Sequence, residues 1–248
     1  MTATPARRPT AYDVADRYDD RYFGDLAGRY LHRTRFARQR VANVMSLLPG
    51  DLSGLRVLDL GCGMGTFTVE TAKRGARAIG VDLAPAALPH AARIAAAGGG
   101  DARGGSIAFV RADAAKLPFR THATDLVIAA DFTEHLDDET LARVLGEAAR
   151  VLRPEGRLIV YTPSPSHILE RLRVAGILRD QDPSHIGMRT ATELAAALEA
   201  AGLKVVHLGF LPSHLPVLNT LERVFGASVP LLRRRIGIVA RRPAVEAA

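Results

Sequence analysis

Asp131, Glu134 and His135 stand at i, i+3 and i+4, a spacing that one helical turn brings to one side. Two carboxylates and an imidazole are donors that suit a hard-to-borderline divalent cation, Mg²⁺ or Zn²⁺. A cation held there would lower the pKa of a bound hydroxyl. Without a cation, the catalytic candidates Asp131, Glu134 and His135 read as acid–base machinery. An imidazole titrates near neutral pH, so His135 is the candidate general base, with His167 as runner-up. The bland alternative is that Glu134-His135 only positions substrate or caps a turn.

A second chemistry-bearing stretch is Val57-Leu-Asp-Leu-Gly-Cys-Gly-Met-Gly65. Here a strand runs into a glycine turn that opens a helix. Glycines let backbone approach a ligand closely, and the helix N-terminus offers free N–H donors. A dinucleotide cradle wants G-x-G-x-x-G. In this chain the glycines are Gly61, Gly63 and Gly65, and Thr66 stands where the third dinucleotide glycine would fall. Asp82 ends the next strand, where a carboxylate accepts bonds from both hydroxyls of a ribose. That feature by itself does not separate NAD from another adenosine-bearing cofactor. Cys62, inside the turn, reads as a small packing residue. As the only cysteine it excludes a disulfide framework and points to a reducing interior.

The elements that must position these residues alternate from residue 55 onward. Strands are expected at 55–60, 76–82, 106–111, 124–130, 156–162, 203–210 and 236–241. Helices are expected at 66–74, 85–97, 137–152 and 190–201. Such alternation with short loops predicts an α/β fold, a Rossmann-like, doubly wound, mostly parallel seven-stranded sheet. Residues 1–248 read as a single domain with an N-terminal helical cap (11–46), a lid insertion after strand five (163–189) and a second insertion (211–231). The cap holds four of the five tyrosines: Tyr12, Tyr18, Tyr22 and Tyr30. Ligands of such sheets bind beyond the carboxyl ends of the strands, within reach of the cap and the first insertion. The run Gly98–Gly105 precedes a strand, so it reads as a connector and not a phosphate cradle.

In order and spacing, DLGCGMG, GVDLA at 80–84, RADAAKLPF at 111–119 and VLRPEGRLIV at 151–160 resemble the motifs of class I S-adenosylmethionine (SAM)-dependent methyltransferases, over roughly residues 55–162. The resemblance implies SAM as cofactor. Gly61, Gly63 and Gly65, with Asp59 in the same motif, would face its methionine portion. Asp82 would hold the ribose beside Leu83, Asp113 and Ala114 would meet the adenine edge, and Ala130 would line the methionine moiety. Leu31-His-Arg33 and Asp131-x-x-Glu134-His135 are similar to segments of the ubiquinone-biosynthesis O-methyltransferases. That implies Arg33 as partner of the SAM carboxylate, a fork suited to bidentate pairing. It also implies a cation on Asp131, Glu134, His135 and His185, although Asp131 stands where that type carries Glu. The implied reaction is O-methylation of a small lipophilic phenol or catechol, such as a quinone precursor or natural product.

Hydrophobic content of 48% is enough for a real core. The net charge of +7 would suit nucleic acid or anionic lipid, but few aromatics lie outside the cap and no RNA-binding module is evident, so no nucleic-acid partner is expected. RNA 2′-O-methylation, N- or C-methylation of a small molecule, an NAD-dependent oxidoreductase and a SAM-binding cyclase are the alternatives. The N-terminus lacks a secretory pattern and no stretch reads as a membrane span. The expectation is a cytoplasmic protein with peripheral contact at the inner membrane face, through the loosely amphipathic 167–179 (Ile168, Leu172 and Ala175 on one side) and through 215–235. Oligomeric state is not legible.

Overall fold

The computed structural model describes residues 10, 12–13, 18–97, 104–178, 182–226 and 228–244. Two helices, α1 (Asp20–Leu31) and α2 (Arg35–Ser46), precede the sheet. The alternating region then runs β1 (Arg56–Leu60), α3 (Thr66–Ala72), β2 (Arg77–Asp82), α4 (Ala87–Ala97), β3 (Ser106–Arg111) and β4 (Thr124–Ala130). After a 3₁₀ turn at Thr133–His135 come α5 (Asp138–Val151), β5 (Leu152–Pro163), α6 (Ile168–Val174), α7 (Ala191–Ala200), β6 (Lys204–Leu211), α8 (Pro216–Phe225) and β7 (Arg235–Arg241).

Seven strands form one sheet in the order β3-β2-β1-β4-β5-β7-β6, parallel except for β7, which runs against both β5 and β6. The expected mostly parallel, doubly wound sheet is therefore present. The central strands β4 and β5 carry continuous buried runs at 126–130 and 158–163 because helices cover both faces there. On β4, Val127 and Ala129 pack with Leu141, Val144 and Leu145 of α5 and Leu194 and Leu198 of α7. The alternate residues Leu126, Ile128 and Ala130 pack with Val44 of α2 and Phe67 of α3. Period two in the strand thus assigns each side chain to a layer. The α5 stripe Leu141, Val144, Leu145, Ala148 has helical period, and Asp137 caps it by accepting the Thr140 N–H at 2.9 Å.

β5 begins four residues earlier than expected, because Leu152 pairs with Thr124 before the register shift. Residues 98–103 of the glycine connector lie outside the described residues. From β1 the chain crosses to β2 on one side, while β4 and β5 continue on the other. A crevice opens beyond the carboxyl ends of β1 and β4, at this switch in strand order.

Candidate active site

The turn after β1 holds three left-handed glycines at alternate positions, with φ of +61°, +52° and +78° at Gly61, Gly63 and Gly65. It is pinned by Cys62 N–H donating to Val81 O at 2.9 Å and Gly65 N–H donating to Cys62 O at 2.8 Å. A Cβ on Gly61 would lie 2.3 Å from the Phe132 ring. Asp82 closes the turn: Oδ2 accepts Gly63 N–H at 2.7 Å and Oδ1 accepts Ala84 N–H at 2.9 Å. Burial pushes its carboxyl up. Gly61, Gly63 and Asp82 line a cavity of ≈ 300 Å³, together with Leu83, Asp113, Ala114 and Ala130. Asp113 Oδ2 accepts the Tyr12 hydroxyl at 2.8 Å.

Asp59 and Gly65 do not line that cavity. Asp59 lies beneath it, accepting the Thr68 N–H at 2.9 Å and the Thr68 hydroxyl at 2.8 Å, and burial pushes its carboxyl up to about 6. It staples the start of α3 to β1, which makes it a support and not a ligand contact. Gly65 serves packing: a Cβ there would meet the Phe109 ring at 2.8 Å. Cys62 does line the cavity, and burial pushes its thiol well up, as fits an inert packing residue.

At the inner end, the expected helical turn at 131–135 is broken. Asp131 adopts φ +51°, and only Thr133–His135 form a 3₁₀ turn. Asp131 is taken up by two guanidiniums: Arg235 donates to Oδ1 at 2.6 Å and Arg40 Nε donates to Oδ2. Burial pushes this carboxyl up, but Arg235 and Arg40 outweigh it and hold it below the usual range. Asp131 therefore pairs with cations and falls out of the four-residue metal set. Each guanidinium also sits over a ring, Arg40 4.5 Å from the Phe67 centroid and Arg235 5.4 Å from that of Tyr161.

Glu134 is buried, its Oε2 accepts the Thr162 hydroxyl at 2.9 Å, and burial pushes its carboxyl up. His135 Nδ1 lies 3.1 Å from the Ser184 carbonyl oxygen and 2.9 Å from the Tyr18 hydroxyl. A carbonyl only accepts, so the Ser184 contact is made by Nδ1–H, and the Tyr18 hydroxyl also lies 3.4 Å from Nε2. Burial, then His135, pushes His185 down, and its Nδ1 is buried with no partner among the described residues. Donor atoms of Glu134, His135 and His185 all lie within 4.8 Å of one another. Three of the four expected ligands thus converge.

The sequence reading misplaced two residues. Arg33 sits exposed at the turn between α1 and α2, with φ +48°, and does not line the cavity; Arg40, two turns on, does. The overlooked signal is a charge inside the buried stripe of α2, Ala37–Arg40–Val44. His167 is not at the cavity. It is fully buried at the N-cap of α6, with Nε2 3.2 Å from Glu222 Oε1. On α6 the buried residue is Glu170, and of the expected apolar side Ile168 (37% exposed) and Ala175 lie open to solvent while Leu172 is half-buried. Of the described residues in 163–189, only His185 reaches the cavity, whose lining takes in Tyr12, Tyr18, Tyr22 and Phe23 instead. Arg235 and Phe132 were not anticipated either.

Comparison with known proteins agrees with this geometry. Residues 57–156 match a family described as methyltransferase domain. The demethylmenaquinone methyltransferase of Thermus thermophilus is 42% identical over 115 residues, 44% of this chain and 49% of that protein. The ubiquinone biosynthesis O-methyltransferase of Rhodopseudomonas palustris is 33% identical over 122 residues, 45% of this chain and 41% of that protein. The chain spans half or less of the length of both relatives. Magnesium protoporphyrin IX methyltransferase from Synechocystis PCC 6803, solved with bound S-adenosylhomocysteine (SAH), shares the fold with a TM-score of 0.59 at 19% identity, over 90% of this chain and 83% of that one. Among the described residues, no helix is long and apolar enough to cross a membrane.

Proposed function

From the premise that this chain belongs to the class I SAM-dependent methyltransferases, we propose that it transfers a methyl group to the oxygen of a small, apolar, hydroxylated acceptor such as a phenol or catechol. One observation carries the reading: the grip for an adenosine cofactor and the His135 imidazole share one cavity. The residues fit SAM. Left-handed glycines at Gly61 and Gly63 leave backbone open to a ligand, Asp82 retains lone pairs for ribose hydroxyls, and Arg40 takes the place foreseen for Arg33. When bound, SAM supplies a sulfonium methyl that an oxygen attacks in line, leaving SAH.

The chain's own residues then do the rest. The Ser184 carbonyl fixes the His135 tautomer, so Nε2 receives the acceptor's hydroxyl proton as the C–O bond forms. Tyr18, Tyr22 and Phe23 exclude water and orient the acceptor ring. The test is calorimetric titration with SAH, followed by a screen of catechols and phenols with SAM, reading SAH release. We expect SAH to bind, Asp82→Ala to weaken it about a hundredfold, and His135→Ala to lower kcat by about 10²-fold or more. No heat with SAH ends the assignment. Binding without SAH release on any phenol, amine or carbon acceptor moves the chain to non-methylating SAM binders.

A second reading adds a divalent cation, favoured by the convergence of Glu134, His135 and His185 and by the unpartnered His185 Nδ1. These three residues, without Asp131, would hold it, and it would acidify a bound hydroxyl. Exhaustive chelation that leaves turnover intact rules it out. Contact with an anionic lipid surface is the remaining part of the proposal. It rests on Val174, Ile177, Val217 and Phe225, which stand exposed beside the exposed Arg171 and Arg223. Co-flotation with anionic but not neutral vesicles supports this, and none at low salt removes it.

A further inference from the structure

Behind the main cavity lies a small cleft of ≈ 20 Å³ that shares Phe36, Arg40 and Arg235 with it. Its other walls include Gln39, His214 and Arg234. No residue of β1, β2 or the glycine turn reaches it, so of the cofactor grip it shares only Arg40. The room suits one small polar group and no ring.

Its charge is unbalanced. Arg40 and Arg235 share Asp131, while Arg173 and Arg234 share Glu170, so four guanidiniums divide two carboxylates. Arg40 uses only Nε on Asp131 and Arg235 only one terminal nitrogen. A guanidinium carries five N–H groups. Among the described residues no hydrogen-bond acceptor is recorded for the remaining nitrogens, yet none of them is a sealed, unsatisfied atom. The two side chains are 20% and 15% exposed, and the open part faces the two cavities they line. His214, at the rim, is pushed down by burial and then by Arg234, Arg235 and Arg35, which reports the same positive field.

We infer that this cleft is an anion subsite, and that the acceptor is a hydroxylated apolar molecule carrying a carboxylate that seats on the free N–H groups of Arg235 and Arg40. The inference rests on the methyltransferase reading and names its substrate class. Planar carboxylates match the guanidinium fork, and the partly desolvated setting strengthens the pair. Asp131 holds both forks in place, which makes it a positioning residue.

The methionine carboxylate of the cofactor is a rival anion for Arg40, so the experiment uses the full chain with and without SAH. Calorimetry compares a catechol carboxylate with the matching neutral carboxamide. With SAH bound, the carboxylate should bind about tenfold or more tightly than the amide. Gln39→Glu places a rival carboxylate in the cleft at nearly constant shape, and should cut that preference to about threefold or less while SAH affinity holds. His214→Glu, at the more exposed rim, should act in the same direction. Equal affinity for the two probes on SAH-loaded protein overturns the subsite and leaves the methyltransferase reading standing. A preference seen only without SAH also overturns it, assigning the guanidiniums to the cofactor. Failure of SAH itself to bind removes the underlying reading and, with it, the acceptor assignment.

Discussion

The half of the molecule around β1–β4 and the cap formed by α6 and α8 solve burial in opposite ways. Around β1–β4, strand residues such as Leu58, Val127 and Ile128 are fully buried between helices, and the buried polar groups are mostly threonines bonded locally. In the cap, each helix buries a carboxylate and turns apolar residues outward. Glu170 and Glu222 are the buried residues of α6 and α8, while Val174 is 75% and Val217 76% exposed. Inside, Glu222 bonds His167 at 3.2 Å and Ser213 N–H at 2.5 Å, and Glu170 holds Arg234 at 3.0 Å. The first half is held by non-directional burial, whereas the second depends on every hydrogen bond being satisfied. A helix of that kind suits surroundings that are themselves apolar.

Asp131 joins the two solutions, so removing it tests both. Asp131→Ala leaves Arg40 and Arg235 without their carboxylate in a largely buried place. The expected loss is about 3–5 kcal/mol, read as a shift in the urea midpoint. The loss should shrink when a small carboxylate is added, because the guanidiniums regain an anion. A change within ±0.5 kcal/mol would mean that the pair is solvated and that the two regions are not coupled there.

A gentler probe of the β1–β4 half is pH. Asp59 is raised from 3.8 to about 6 by burial, so between those values the folded state binds more protons than the unfolded one. Stability therefore falls as pH rises from about 4 to 6, by about 3 kcal/mol from this group. Asp82 and Glu134, also raised, act in the same direction, so the diagnostic is a difference. Asp59→Asn should flatten the slope relative to the parent chain in urea melts at several pH values. Equal slopes would show that Asp59 is not desolvated as its surroundings imply.

For the cap, Glu222→Ala strands the Ser213 N–H and the buried His167 Nε2. We expect a loss of about 1–3 kcal/mol. Hydrogen exchange should accelerate across α6 and α8 while β1, β2 and β4 stay protected. Uniform acceleration would erase the contrast between the two regions.

The same contrast explains what the sequence disclosed. The strands, the glycine turn and Asp82 were legible because each requirement is local: strand period, positive φ, a carboxylate at a strand end. Arg40 was read as Arg33 because a short motif names a word in the sequence, while the cavity selects a face of α2. The fate of Asp131 was hidden because its partners lie 91 and 104 residues away. The burial of His167 depends on Glu222, 55 residues on. Amphipathic reading of α6 missed its buried Glu170, because such a reading looks for an apolar inner face and this one is ionic.

The smallest effect concerns the cap's N-terminal counterpart. Tyr12 donates its hydroxyl to Asp113, the carboxylate that the family resemblance gives to the adenine edge. Where the cofactor claims the same oxygen, the two donors compete, and a competitor that is lost makes binding tighter. The contact is exposed, so its net worth is under about 1 kcal/mol. Tyr12→Phe should therefore tighten SAH binding by no more than about fivefold, with Tm of the ligand-free chain nearly unchanged. Weaker binding in Tyr12→Phe would give the opposite sense: the hydroxyl then belongs to the cofactor's own wall, and the N-terminal tyrosines complete the β1–β4 half instead of shielding it.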